Sequence, residues 1–267
     1  MLINTVLLFL QSALPMFIII SLLLLRLTAE SKSIVTPKNL IGITCLAITL
    51  VFLLNQTMEK TSQLFEGKGT EIVFSFGFII IYFCSVFLFL LNNKDRFIKV
   101  KQALALVIFL LVFSLNGSHF MLYLSSYWTQ TLQVESAGLE SLFIGIILAV
   151  GICVSFAILL YFLLRYSDLN IHPKTSCYLL LFFALGQLMQ SILLLQQVDV
   201  LPLSYSLWNS SNFIAENSEF GQLLSVLFGY EATPSFMQLI TYLTAFIVPV
   251  LMSNNRHFVR IAFGEKS

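Results

Sequence analysis

Charge is what this sequence has least of. Asp, Glu, Lys and Arg together make up 10% of its 267 residues, where a soluble domain carries about 25%. With 58% hydrophobic residues and a mean hydropathy of +0.92, too few polar side chains remain to cover a water-facing body. A soluble domain is excluded. Cysteine is sparse too: Cys45, Cys84, Cys153 and Cys177 stand singly within or beside hydrophobic runs, without CxxC spacing. That pattern argues against disulfides and zinc and reads them as small packing residues. No HExxH, GxSxG or P-loop is present, and no paired carboxylates fall inside a hydrophobic run, so nothing points to an enzyme. A net charge of +1 with no extended basic stripe sets nucleic acid aside as a partner.

What the chain has instead is seven runs without a charged residue: Met1–Leu25, Asn39–Met58, Ile72–Asn93, Gln102–Val134, Ser141–Leu164, Thr175–Val198 and Ala232–Asn255. A hydrocarbon core about 30 Å thick takes about 20 apolar helical residues to cross. The expected fold is an all-α polytopic membrane protein with seven spans and the lipid bilayer as its first partner. The first run lacks a basic leader and is longer than a signal-peptide core, so it is expected to remain as the first span.

Short inner loops carry the excess of Lys and Arg. Arg26, Lys32, Lys38, Lys94, Arg96, Lys99, Lys101, Arg165, Lys174, Arg256, Arg260 and Lys266 all fall after odd-numbered spans, whereas the other side holds only Lys60 and Lys68 among many carboxylates. This places the N-terminus outside and the C-terminus inside, in a plasma membrane of the bacterial inner-membrane kind. The acidic outer side either gathers cations or simply lacks the inner side's basic residues.

Spans 1–3 and 4–6 then enter from opposite sides, the arrangement of two inverted three-helix repeats, with the seventh span added. The whole chain, 1–267, reads as one transmembrane domain: repeat one about 1–93, repeat two about 102–198, an outer segment 199–231 and a last helix 232–255. Span 1 carries Gln11-Ser12-Ala13-Leu14-Pro15 and span 4 carries Asn116-Gly117-Ser118-His119, both in mid-run. Ser12 with Pro15, and Asn116 with His119, share a face at i and i+3. Pro15 deprives the Gln11 carbonyl of its helical donor, which predicts a kink and an exposed acceptor at membrane depth. His119 is the ionisable side chain deepest in any span: a functional candidate and the candidate metal ligand, or a neutral imidazole bonded to a hydroxyl or carbonyl. Gln187 and Gln190 read as helix–helix hydrogen-bonding residues. The outer segment, rich in aromatics, is expected to hold a short interfacial helix near Phe220–Phe228, seated over the mouth of the bundle as a lid or as a docking face for an outer partner.

The last third carries a resemblance. Trp208, Glu216-Asn217-Ser218, Gly221-Gln222-Leu223-Leu224, Leu227-Phe228-Gly229-Tyr230, Ala232, Pro234-Ser235, Gln238 and Tyr242-Leu243 resemble the outer segment and last helix of the ferroxidase-linked iron permeases, and spans 5 and 6 are similar to the same family. The resemblance implies a multi-pass permease for iron, with no cofactor and with iron as cargo, working beside a separate iron-oxidising or periplasmic protein. The family's Arg-Glu-Gly-Leu-Glu signature is broken in both places where it belongs. Its glutamates are replaced by Ser12 and Pro15 in span 1, and by Asn116 and His119 in span 4. A ferric ion prefers anionic oxygen ligands, so the expected path of Gln11, Ser12, Pro15, Asn116, Ser118 and His119 suits a softer divalent or protonatable solute better. Glu71, at the outer start of span 3, matches an acidic position of the family and is either a ligand at the mouth or a solvated interfacial carboxylate. The competing expectation is a non-transporting relative that scaffolds or regulates a membrane assembly.

Overall fold

The computed structural model describes residues 2–29, 37–62, 64–91, 97–131, 137–172, 174–202, 204–216 and 218–254. Its helices are α1 (Leu2–Ala29), α2 (Pro37–Ser62), α3 (Gly69–Leu90), α4 (Ile98–Thr131), α5 (Ala137–Asn170), α6 (Thr175–Gln197), α7 (Glu219–Phe228) and α8 (Phe236–Asn254), with a 3-10 turn at Leu64–Gly67. Among the described residues there is no strand, only an isolated bridge between Ser206 and Ser235. Backbone groups in hydrocarbon must find partners within their own segment, which helices provide. Five helical stretches are long and apolar enough to cross a membrane: Gly69–Leu90, Ile98–Leu122, Phe143–Asn170, Thr175–Gln197 and Phe236–Asn254. α1 and α2 contribute shorter apolar stretches, Ser12–Leu25 and Gly42–Met58. The chain is therefore an all-helical, multi-pass membrane protein.

Helix ends depart from the uncharged runs for local reasons. α8 starts at Phe236, although its run starts at Ala232, because Ser235 and Gln238 form a capping box. The Gln238 N–H donates to Ser235 Oγ at 3.3 Å, and the Ser235 N–H donates to Gln238 Oε1 at 2.6 Å.

The helices gather into two compact units, Met1–Thr70 with Phe109–Ser176 and Glu71–Ile108 with Cys177–Ser267. In the first, α1 packs on α5. The buried positions of α5 recur as Gly145, Ala149, Cys153, Ala157, Leu160 and Leu164, small residues over most of that stripe. Small side chains let backbones approach where lipid offers no hydrophobic drive to association. Ser21 Oγ donates across the approach to Ala157 O at 2.9 Å. The rest of α5 shows Ile147, Leu159 and Phe162 to the outside, a surface suited to lipid and a liability in water. Cys153 and Cys177 are buried as packing residues, whereas Cys45 is exposed on α2.

In the second unit, α8 contains Pro249. Proline has no N–H, so the carbonyl four residues earlier, that of Ala245, loses its helical donor. Tyr82 of α3 replaces it: its hydroxyl donates to Ala245 O at 2.8 Å. Around this joint Tyr82 packs with Ala184 and Leu185, and Phe182 stacks on Phe246 at 5.1 Å.

α7 is held against α6 at two glycines. Gly229 caps α7 in the left-handed region, φ 69 and ψ 33, and its N–H donates to Ser225 O at 2.8 Å. A Cβ added to Gly186 would lie 3.0 Å from Val226 O and 3.2 Å from Gly229 N, so the two backbones touch. Gly186 is the twelfth residue of the 23-residue α6, whereas Ser235, at the start of α8, reaches Gln196 near the end of α6, 3.5 Å away. Ten residues of helix separate those levels, about 15 Å. The short helix expected in the outer segment is present, and its C-terminal end meets the middle of α6.

Candidate functional site

Ser12, Pro15, Asn116, Ser118 and His119 all belong to the first unit. α1 runs as one helix through Pro15. It meets α4 where Phe9 and Phe120 pack edge to face, centroids 4.8 Å apart. Three residues before Phe120, Gly117 makes room for side chains of α1 and α2: an added Cβ would stand 2.8 Å from Val51 Cγ2 and 3.3 Å from Met16 Cε. Ser12 is 5% exposed and Ser118 fully buried, Pro15 is also buried, and His119 is half-buried.

The polar side chains of α4 turn first to their own helix. Asn116 Nδ2 donates to Val112 O at 2.9 Å, Ser118 Oγ to Leu115 O at 2.8 Å, and Ser114 Oγ to Leu110 O at 2.6 Å. Such bonds satisfy a donor at membrane depth without a partner helix. With its nitrogen so used, the Asn116 amide presents its oxygen away from that carbonyl. The side chain of Gln11 lies outside the described residues. Glu71 sits in the first turn of α3, in the second unit, where a carboxylate complements the positive end of the helix. Gln187 and Gln190 divide: Gln187 is buried and Gln190 exposed. Gln187 Oε1 and Ser191 Oγ are buried without hydrogen-bond partners. They lie one turn apart on α6, both beyond Gly186, against which α7 ends. Among the described residues no group of three or more His, Cys, Asp or Glu is placed to hold a metal ion.

The connections on either side of α7 form a second polar centre. Ser210 N donates to Ala232 O at 2.8 Å, Leu207 N to Pro234 O at 3.0 Å and Ala232 N to Glu216 Oε1 at 2.6 Å. The Tyr230 hydroxyl ties Ser210 Oγ (2.9 Å) to Ile214 O (3.0 Å). Ser218 caps α7 by accepting from the Gly221 N–H at 3.0 Å, and Gly221 lies so close to Ala215 O that no side chain fits. Beside this framework is a cavity of about 270 Å³ lined by Met189, Trp208, Phe228, Tyr230, Glu231, Gln238 and Tyr242 among others. Glu231 is the charged residue of that lining. Burial pushes its carboxyl up to about 7 from the ordinary 4.5. The negative charge of Glu216 adds to the rise, and a hydrogen bond with Gln238 opposes it.

That shift fixes the sign of a pH effect. A carboxyl with a higher pKa in the fold than in the unfolded chain stabilises the fold while protonated. This contribution is complete below the unfolded value, and it is lost as pH rises through the window from 4.5 to about 7. Glu231→Gln should therefore match the parent near the acid end of that window. Above its upper end the variant should be more stable by about 1 kcal/mol, once the partial exposure of Glu231 is discounted. Thermal midpoints in detergent across that range measure it, and equal pH slopes for parent and variant would refute it.

No family model, curated protein or solved structure matches this chain. Between Trp208 and Tyr242, Ser218 and Gly229 cap α7, Ser235 and Gln238 cap α8, and Glu216, Tyr230 and Ala232 close the framework beside the cavity.

Proposed function

We propose that this chain is a plasma-membrane permease for a small cation, iron among the candidates, built as seven spans in two inverted three-helix repeats plus a seventh helix, with the N-terminus outside. The observation that carries the proposal is the burial of polar side chains, Ser12, Asn116 and Ser118, in the otherwise apolar helices that meet at the α1–α4 crossing. The end of α7, which meets the middle of α6 at Gly186 and Gly229, adds to it. Helices that stop at mid-depth and return are the means by which transporters bring backbone groups to a solute. The grouping of helices supports inverted repeats as well. Each helix of the first half shares a unit with its counterpart from the second: α1 with the later part of α4, α2 with α5, and α3 with α6.

The path proposed along the α1–α4 crossing comprises Gln11, Ser12, Pro15, Asn116, Ser118 and His119. Among the described residues no carboxylate is placed at the crossing, so a divalent or protonated solute suits it better than a ferric ion. One observation favours the scaffold reading instead: Met16 and Val51 fill the space at Gly117, and the α4 donors are spent on their own helix. Uptake of labelled Fe²⁺, Fe³⁺ and other divalent ions into vesicles containing the purified protein decides between them. Transport that His119→Ala and Asn116→Ala abolish is the expected result. Uptake unchanged in both variants would remove the crossing from the path, and no uptake together with a stoichiometric copurifying protein would establish the scaffold.

A further inference from the structure

The cavity beside α7 is built for a different kind of positive charge from the one a metal-ion path handles. Four aromatic residues line it: Trp208, Phe228, Tyr230 and Tyr242. Two of its polar groups are committed elsewhere: Gln238 Oε1 accepts from the Ser235 N–H, and the Tyr230 hydroxyl is held between Ser210 and Ile214. Facing the space are the carboxylate of Glu231, which shares a hydrogen bond with Gln238, and the aromatic side chains. A hard metal ion exchanges its water shell for several oxygens, and a single carboxylate does not supply them. An alkylammonium gives up far less hydration and is attracted both by a carboxylate and by aromatic faces.

We infer that this cavity binds a small organic cation of the alkylammonium class, with Glu231 as its counter-ion and the rings of Trp208, Phe228, Tyr230 and Tyr242 as its walls. A volume of about 270 Å³ accommodates a quaternary ammonium head with a short chain. The groups facing Glu231 are Glu216 from the preceding connection, Tyr230 from the end of α7, Gln238 and Tyr242 from α8, and the Met189 thioether from α6. None of them is basic, so an incoming cation has no internal competitor. A second carboxylate, Glu216, reinforces the negative potential. Protons compete for the same carboxylate, so binding weakens as the medium becomes acidic. The inference does not depend on the transport path, which is placed at other residues.

The test uses the full chain in a non-ionic detergent, with Trp128→Phe as the background so that Trp208 alone reports through its fluorescence. Choline is titrated against its uncharged tert-butyl analogue, which has the same shape without the charge. Choline should bind about tenfold more tightly than the analogue near neutral pH, and Glu231→Gln should abolish that preference while leaving a folded protein. Tyr242→Leu should weaken choline about threefold or more and the neutral analogue less. Acidification to about pH 5 should erase the preference of the parent. Equal affinity for choline and its analogue would mean a merely apolar hollow. A preference that survives Glu231→Gln would misplace the counter-ion, tighter binding of Mn²⁺ than of choline would make the site a metal site, and no saturable response would mean no site. Each of these results overturns the inference.

Discussion

Replacing Gly186 by Val should release α7 from α6 and cost the fold about 3 kcal/mol, at the upper end of what overpacking exacts. A Cβ there would meet Val226 O at 3.0 Å and Gly229 N and Ser225 O at 3.2 Å. All three are backbone atoms, so no side chain can swing away. Nor can the backbone yield cheaply. The Gly229 N–H is bonded to Ser225 O and the Tyr230 N–H to Leu224 O, and α6 is fixed in its own ladder. The two branches of valine would force the helices apart and open the cavity that Phe228 and Tyr230 help to line. Amide hydrogen exchange over residues 219–230 should become fast, and the thermal midpoint should fall. Gly151→Ala is the matched control, because nothing lies within 4 Å of a Cβ at that position. Removing glycine from an open helix interior should be neutral or stabilising by up to about 1 kcal/mol. If Gly186→Val behaves like Gly151→Ala, the backbone contact does not exist.

The helices were legible in the sequence because hydrocarbon imposes a single rule on every span, and runs such as Thr175–Val198 obey it without exception. Their ends were not legible in the same way. The start of α8 is set by the Ser235–Gln238 capping box, a pattern visible as Ser-x-x-Gln but overshadowed by the apolar run that begins at Ala232. A short helix near Phe220–Phe228 could be read from composition, whereas its depth could not. That depth depends on Gly186 and Gly229, from separate elements, lying back to back. At the α1–α4 crossing, the sequence identified Ser12, Asn116 and Ser118 as interior polar positions, and they are buried. It carried no sign that Asn116 and Ser118 would donate to carbonyls three and four residues back, although that habit of short polar side chains is general. Glu231 escaped notice because it was one of many outer carboxylates. The signal that could have found it is its place between Gly229-Tyr230 and Pro234-Ser235, two turn-forming pairs that oblige the chain to fold back around it.

The two prolines inside helices show the same division, and the second yields a strict test. Pro15 and Pro249 each free a carbonyl, that of Gln11 and that of Ala245, and sequence alone tells that both need partners. Only the fold supplies one, the Tyr82 hydroxyl on Ala245 O at 2.8 Å. Tyr82→Phe keeps the ring among Ala184, Leu185 and Phe246 and removes just the donor. It leaves a carbonyl without a partner in an apolar setting, at a cost of about 1–3 kcal/mol. Pro249→Ala restores an N–H four residues beyond Ala245 and lets α8 close its own ladder. In that background Tyr82→Phe should cost little, so the double-mutant cycle should show a coupling of about 1–2 kcal/mol. Ring packing cannot produce that pattern, since the ring is the same in both backgrounds. Thermal or denaturant unfolding of the four proteins in one detergent gives the answer. Strictly additive costs would mean that Tyr82 stabilises the second unit by burial alone and that the Ala245 carbonyl is satisfied in some other way.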